Sequence, residues 1–314
     1  MASKSKRQNG VDRISELPDA VLCHMLSFLP TVYAMWTTVL SRRWNNLWTS
    51  LTNLGFDNKE FPTNHTMSPI QSFNRFMTAV EGAVSLHRSS DIQKFCLSIS
   101  VKHFSVEDLS QINTLICSAI GHNVVEMNLS LWAEDHTEDH FELPQSLFMC
   151  TTLEKLTVFS SFNICAPPRG SLPSLKACYV PALENLTKLK LVLRDCYHWE
   201  LLTELLMRSP KLKCLVLEHI HANVDNKYPE QSESRWIPPD FVPICLLTRL
   251  ETIKIRGFKG NRDEMDAARY LLKNSDVLNQ MAIYTGDLQC TKEELFEEFG
   301  KFPRGSKACK VLLS

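Results

Sequence analysis

Eight times along this chain an apolar residue is followed, three and five positions later, by two more. The triads are Ile92/Phe95/Leu97, Val124/Met127/Leu129, Leu153/Leu156/Val158, Leu175/Cys178/Val180, Leu186/Leu189/Leu191, Leu212/Leu215/Leu217, Leu250/Ile253/Ile255 and Leu278/Met281/Ile283. Alternation at the end of each triad is the signature of a short strand with one buried face. Between the strands lie stretches with apolar residues every three or four positions. Examples are Ile70-Phe73-Phe76-Met77-Val80-Val84, Val106-Leu109-Ile112-Leu115-Ile116-Ala119 and Trp199-Leu202-Leu205-Leu206, each a helix with one apolar stripe. No single strand-helix unit buries its apolar face alone, so the units must stack.

Strand, crossover and strand with a fixed apolar signature describe a leucine-rich-repeat solenoid of parallel strands and helices, an α/β fold. Successive triads begin 32, 29, 22, 11, 26, 38 and 28 residues apart. The 11-residue step, from Leu175 to Leu186, is too short, because parallel neighbours need a connection of at least about a dozen residues. One of the two segments is therefore not a repeat strand, or a unit is missing. If a unit is missing through an internal deletion, it lies near Val180–Ala182, and the array is expected to be strained or locally open at that point. Residues 227–243 are charged and carry Pro229, Pro238, Pro239 and Pro243, which marks a loop. After it, Asp263–Asn274 reads as a helix with Met265, Ala268, Leu271 and Leu272 turned inward.

The N-terminal fifty residues follow a different rule. Ile14, Leu17, Val21, Leu22, Met25, Leu26 and Leu29 have helical spacing. Pro18 suits a first helical turn and Pro30 stops the helix. Thr31 can cap a second short helix through Val39, and Ser41 a third carrying Trp44, Leu47 and Trp48. Three short helices cannot bury this much apolar surface among themselves, and an apolar face left exposed on so small a unit marks a docking site.

The run Asp12-Arg13-Ile14-Ser15-Glu16-Leu17-Pro18-Asp19, then Leu26-Ser27-Phe28-Leu29-Pro30 and Val39-Leu40-Ser41-Arg42-Arg43-Trp44-Asn45-Asn46-Leu47-Trp48, resembles the F-box. The stretch from Cys245 through the 263–274 helix, ending in Phe302-Pro303-Arg304-Gly305-Ser306, resembles the FBD domain, physically a capping unit for the solenoid. Together they resemble the plant F-box/FBD/leucine-rich-repeat family. The resemblance implies a 1–10 basic tail, an F-box over 11–57, repeats over 68–226, the 227–243 loop and an FBD-like unit over 244–314. It further implies a non-catalytic subunit of an SCF-type ubiquitin ligase, whose F-box docks a Skp-like adaptor, and through it a cullin-RING ligase. Position by position this nominates Leu17, Pro18, Val21, Leu22, Met25, Leu26, Leu29 and Pro30, with Val39 and Trp44 touching the adaptor or locking the helices together. Val32, Tyr33 and Trp36 depart from the family pattern and are expected to join the helix-bundle core. A protein substrate would meet strand residues that point away from the helices, and the repeat register puts Asn128, Ser130, Thr157, Phe159, Lys190, Glu218, Lys254, Arg256 and Tyr284 among them. The alternative is an interaction scaffold with a vestigial F-box.

Composition narrows the function classes. The chain has 314 residues, and 34 Lys+Arg against 35 Asp+Glu leave a net charge of −1, which disfavours nucleic-acid binding by bulk attraction. Ala20–Ser41 lacks Asp, Glu, Lys and Arg over nearly the length of a membrane span, but Pro30 and the striped apolar pattern argue against one. The polar, basic start is no signal peptide. Eleven scattered cysteines with no Cys-x-x-Cys spacing fit free thiols in the cytoplasm or nucleus.

No motif calls for a cofactor or metal. His136 and His140 are four apart, but Thr137 stands where a zinc hydrolase needs Glu. His219 and His221 lack a third ligand. Residues 300–307 nearly spell a phosphate loop, with Pro303 inside and Lys and Ser transposed.

Overall fold

The computed structural model describes residues 13–14, 16–62, 66–87, 91–134, 141–162, 164–167, 183–194, 199–220, 236–286 and 291–314. The chain opens with α1 (Asp19–Leu26) and α2 (Thr31–Trp36), then three single 3-10 turns at Thr37–Val39, Trp44–Asn46 and Trp48–Ser50. Pro18 and Pro30 stand at the N-caps of the two helices. Thr31 does not cap α2. Its Oγ1 accepts a hydrogen bond from Gly55 N at 2.8 Å, tying the helices to the first strand, β1 (Asn53–Asp57). The third expected helix is a pair of 3-10 turns, and Ser41 contributes its backbone carbonyl to Trp44 N rather than a side-chain cap.

The solenoid follows as α3 (Pro69–Leu86), β2 (Lys94–Val101), α4 (Val106–Ile120), β3 (Glu126–Ala133), β4 (Phe141–Glu142), α5 (Gln145–Phe148), β5 (Lys155–Ser160), β6 (Ile164–Cys165), β7 (Lys188–Arg194), α6 (Trp199–Met207), β8 (Cys214–Ile220), α7 (Ile244–Thr248), β9 (Thr252–Phe258), α8 (Arg262–Asn274), β10 (Gln280–Thr285), α9 (Lys292–Lys301) and β11 (Lys310–Leu313). Nine strands form one parallel sheet in the order β1-β2-β3-β5-β7-β8-β9-β10-β11. The short pair β4 and β6 forms a second ladder. Helices α3, α4, α8 and α9 each begin with a reciprocal capping box, at Ser68/Gln71, Ser105/Asp108, Asn261/Glu264 and Thr291/Glu294.

Register explains the repeat signature. Phe95, Met127, Leu156, Leu189, Leu215, Ile253 and Met281 are cross-strand partners in one buried row, and Leu97, Leu129, Val158, Leu191, Leu217, Ile255 and Ile283 form the next. Helices pack on their neighbours, α3 on α4, α4 on α5, α6 on α7 and α7 on α8, and the two rows share a continuous core with the helix stripes. A second device recurs at the strand starts: Glu154 and Lys155 both donate to Val125 O, Thr187 and Lys188 to Glu154 O, Lys213 and Cys214 to Thr187 O, and Glu251 and Thr252 to Lys213 O.

That device corrects the expectation of a locally open array. β5 pairs directly with β7 over six positions from Lys155↔Lys188 to Ser160↔Leu193, and their junction has the same forked hydrogen bond as its neighbours. The triad Leu175/Cys178/Val180 lies outside the described residues. Among the described residues β5 is followed in the sheet by β7.

Seven elements went unanticipated: β1, β4, α5, β6, α7, α9 and β11. In α8 the inward set is Ala267, Ala268, Leu271 and Leu272 with a carboxylate, Glu264, among them; Met265 is only partly buried.

Candidate functional site

Two surfaces stand out. The first is the N-terminal helical unit, where α1 is apolar on both sides. Leu22 and Leu26 turn inward and are fully buried, beside Trp44, Leu47 and Trp48. Val21, Met25 and Leu29 turn outward and are 42%, 45% and 43% exposed. Phe28, Val39 and Leu40 extend the uncovered apolar surface, Val39 being 85% exposed. Pro18 and Pro30 are exposed, and Leu17 is half-buried. Of the ten residues nominated for docking, Leu22, Leu26 and Trp44 are thus closed off inside the unit. Their role is to hold its shape. Val32 joins the core as expected, but Tyr33 and Trp36 do not: both are exposed, edge to face at 5.4 Å. They lie on the side of α2 opposite Thr31, Val32 and Ala34, which are buried towards β1.

Arg43 sets the angle between the first and last turns of this unit. Its guanidinium pairs with Asp19 at 2.6 Å and donates to Leu17 O. The pair is largely exposed, so it orients more than it stabilises.

The second surface is the helix-free face of the sheet. All nine strand residues expected there occupy two adjacent rows. Asn128, Thr157, Lys190 and Lys254 are cross-strand partners in one, with Cys96 and Val216; Ser130, Phe159, Glu218, Arg256 and Tyr284 make the other, with Ser98 and Val192. A third row on the same face, missed from sequence, begins each strand: Lys94, Glu126, Lys155 and Lys188. Trp132, two residues past Ser130, was also missed, although extending the alternation finds it. Its indole stacks on the Phe159 ring at 5.8 Å and 20°.

The charges on this face are organised. Glu126 lies 2.8 Å from Lys94 and 3.4 Å from Lys155, and Asn128 Nδ2 donates to it at 3.2 Å. The hydrogen bond from Lys94 holds the Glu126 carboxyl below its usual range and raises the Lys94 ammonium in turn. Glu218 sits between Lys190 at 2.8 Å and Arg256 at 3.7 Å, and Arg256 covers the Tyr284 ring at 5.6 Å. Lys188 and Lys254 have no carboxylate partner among the described residues.

Among the described residues, the motifs that hinted at chemistry do not assemble into a site. His136, His140 and His221 lie outside the described residues. His219 Nδ1 meets Glu264 Oε1 at 2.9 Å, and the other Glu264 oxygen accepts from the backbone of Lys259, Gly260 and Asn261, so the pair closes the start of α8. Residues 300–307 form the end of α9 and a turn; a side chain at Gly305 would meet Lys273 O at 2.8 Å, leaving no phosphate cradle. Cys245 is buried against Leu206 O, and burial pushes its thiol up to about 12, which makes it a packing residue. No cluster of three His, Cys, Asp or Glu suited to a metal occurs among the described residues. Nor is any described helix long and apolar enough to cross a membrane.

A family model for the F-box domain matches residues 14–54, the unit with the uncovered α1 face, and one for FBD matches residues 238–283, the stretch from the end of the 227–243 loop to β10. The chain carries an F-box and an FBD domain. Its F-box spans α1 through β1, and its FBD holds α7, β9, α8 and most of β10. Among its relatives in Arabidopsis thaliana are an FBD-associated F-box protein, 35% identical over 53% of this chain and 38% of the relative, and F-box/LRR-repeat protein 13, 33% identical over 55% of this chain and 36% of the relative. A third, named an F-box protein, is 32% identical over 66% of this chain and 62% of its own length. The chain spans about a third of the length of the first curated relatives it matches.

Proposed function

We propose that this F-box protein is a non-catalytic substrate-recognition subunit of an SCF-type ubiquitin ligase, acting in the cytoplasm or nucleus. The F-box docks a Skp-like adaptor, the adaptor joins it to a cullin-RING assembly, and the sheet face holds a protein substrate. Catalysis is by proximity: holding the substrate raises the effective concentration of its lysines at the charged conjugating enzyme.

One observation carries this reading: the F-box leaves Val21 and Met25 uncovered on one side of α1, and Leu29 just beyond it, while Leu22 and Leu26 fill its core. Burying a fully exposed aliphatic contributes roughly 1.5–3 kcal/mol in transfer terms, and these three keep a little under half of their surface exposed, so with Phe28 and Val39 they offer several kcal/mol towards a complex. The eight described cysteines are all free thiols, in keeping with a reducing compartment.

The test is capture of a purified plant Skp-like adaptor by the intact chain, compared with Val21→Asp/Met25→Asp. These positions are exposed, so the variant keeps its circular dichroism spectrum and thermal midpoint and loses the adaptor. Intact protein that retains no adaptor supports the scaffold reading with a vestigial F-box instead.

A further inference from the structure

The described strands β2 to β9 carry cations and carboxylates on the helix-free face in unequal number, although the whole chain is nearly neutral. Glu126 and Glu218 each neutralise part of a cationic pair. Lys254 remains without a carboxylate among the described residues, Lys190 shares the single Glu218 carboxylate with Arg256, and the Phe159 ring of the stacked Trp132–Phe159 pair lies one strand away from Lys190. We infer that this face receives an extended acidic segment of a protein, carrying an apolar side chain on the Trp132–Phe159 pair and carboxylates on Lys190 and Lys254. The inference rests on the sheet face being the substrate surface and adds the chemistry of what it takes.

Geometry sets the spacing. Lys190 and Lys254 share a row on β7 and β9, two strand intervals apart, which is about 10 Å. A strand-like peptide laid across the strands advances about 3.3 Å per residue and turns alternate side chains to one side, so carboxylates four positions apart face the sheet together and come within reach of both flexible ammonium groups. Phe159 lies one strand before Lys190 and one row over, roughly 8 Å away, which places the apolar residue two positions ahead of the first acid, on the same side. A phosphate polymer fits less well. Glu126 and Glu218 sit inside the lysine field and repel a uniform run of phosphates, whereas a peptide alternates charged and neutral positions.

The experiment is fluorescence polarisation with the full chain and a labelled Ser/Gly peptide bearing one Phe followed two and six positions later by Glu. Binding is expected to weaken by about tenfold for each of Lys190→Gln and Lys254→Gln, the size of one charge-assisted hydrogen bond. It should weaken comparably when the peptide's Glu residues become Gln, and fall as NaCl rises. Equal binding of a Lys-for-Glu peptide, no binding at millimolar peptide, or tighter binding of a single-stranded RNA of similar length would overturn it. Adaptor capture is measured on the same preparation. Adaptor bound without peptide defeats the acidic-segment inference alone, and peptide bound without adaptor defeats the ligase reading alone.

Discussion

Arg208 Nη2 donates to the carbonyl of Pro167 at 3.0 Å inside the protein, while the Arg208 carbonyl accepts from Leu183 N at 2.7 Å. One residue at the end of α6 thereby holds both the chain that leaves the β5 repeat and the chain that arrives at β7. The guanidinium is 3% exposed, pairs with Glu204 at 3.1 Å and lies 4.8 Å over the Phe148 ring. This is the place where the triad spacing falls to 11 residues, and a buried cation spans the discrepancy.

Arg208→Ala should therefore be among the most damaging single changes in the solenoid, at about 3–5 kcal/mol, because it removes the donor to the buried Pro167 carbonyl and opens a void over Phe148. Urea unfolding measures it. Arg208→Met keeps most of the volume and is expected to recover part of the loss; a variant as stable as the parent would refute the clamp.

His87 gives the protein an acid-sensitive joint. It is 6% exposed, neither ring nitrogen has a hydrogen-bond partner among the described residues, and it faces His122 edge-on at 5.5 Å. Burial first, and the His122 charge second, hold the imidazole below its ordinary pKa of 6.5. The unfolded chain then binds a proton that the folded chain refuses, so stability is intact above about pH 6.5 and declines as pH falls below it. Thermal midpoints at pH 7.5 and 5.5 measure the slope, which His87→Leu should flatten.

Gly257 sits at φ +70°, and a side chain there would stand 2.4 Å from His219 O. Gly257→Ala combines left-handed backbone strain with a collision against the neighbouring strand, and is expected to cost about 2–4 kcal/mol. Because β8 and β9 meet there, hydrogen exchange in both strands should accelerate together, while exchange in β2 and β3 stays unchanged.

Two neighbours on α1 separate docking from folding. Leu22→Ala should lower stability by about 2–5 kcal/mol through its cavity. Val21→Ala should leave the thermal midpoint nearly unchanged and weaken adaptor capture. If both act on stability alone, the uncovered side of α1 is not a contact surface.

The strands of the repeats were legible because each buries two apolar residues at fixed spacing, a signal that survives irregular crossovers. β1 was not, since Asn53-Leu54-Gly55-Phe56-Asp57 offers only two apolar positions around a glycine, a weak strand pattern. β11 is four residues long and its Val311 and Leu313 are only half-buried, so its pattern was too short to read. In α1 the periodicity was plain but its meaning was divided. Val21/Met25 and Leu22/Leu26 are equally apolar, and only packing against Trp44 and Trp48 decides which pair is the protein's own core. The outward-facing strand positions follow the register that each triad implies; the lysines at the strand starts were passed over because they fall inside each triad, between its first two apolar residues.

Thr31 and Gly55 carry a last consequence. By accepting the Gly55 N–H, Thr31 occupies an outward-facing donor of the terminal strand, and the F-box roofs that margin of the sheet. The F-box is thus a protective end-piece as well as a docking module. A shortened protein beginning after residue 52 would bare a parallel edge ready to recruit strands from other molecules, and should self-associate in light scattering where the intact chain stays dispersed.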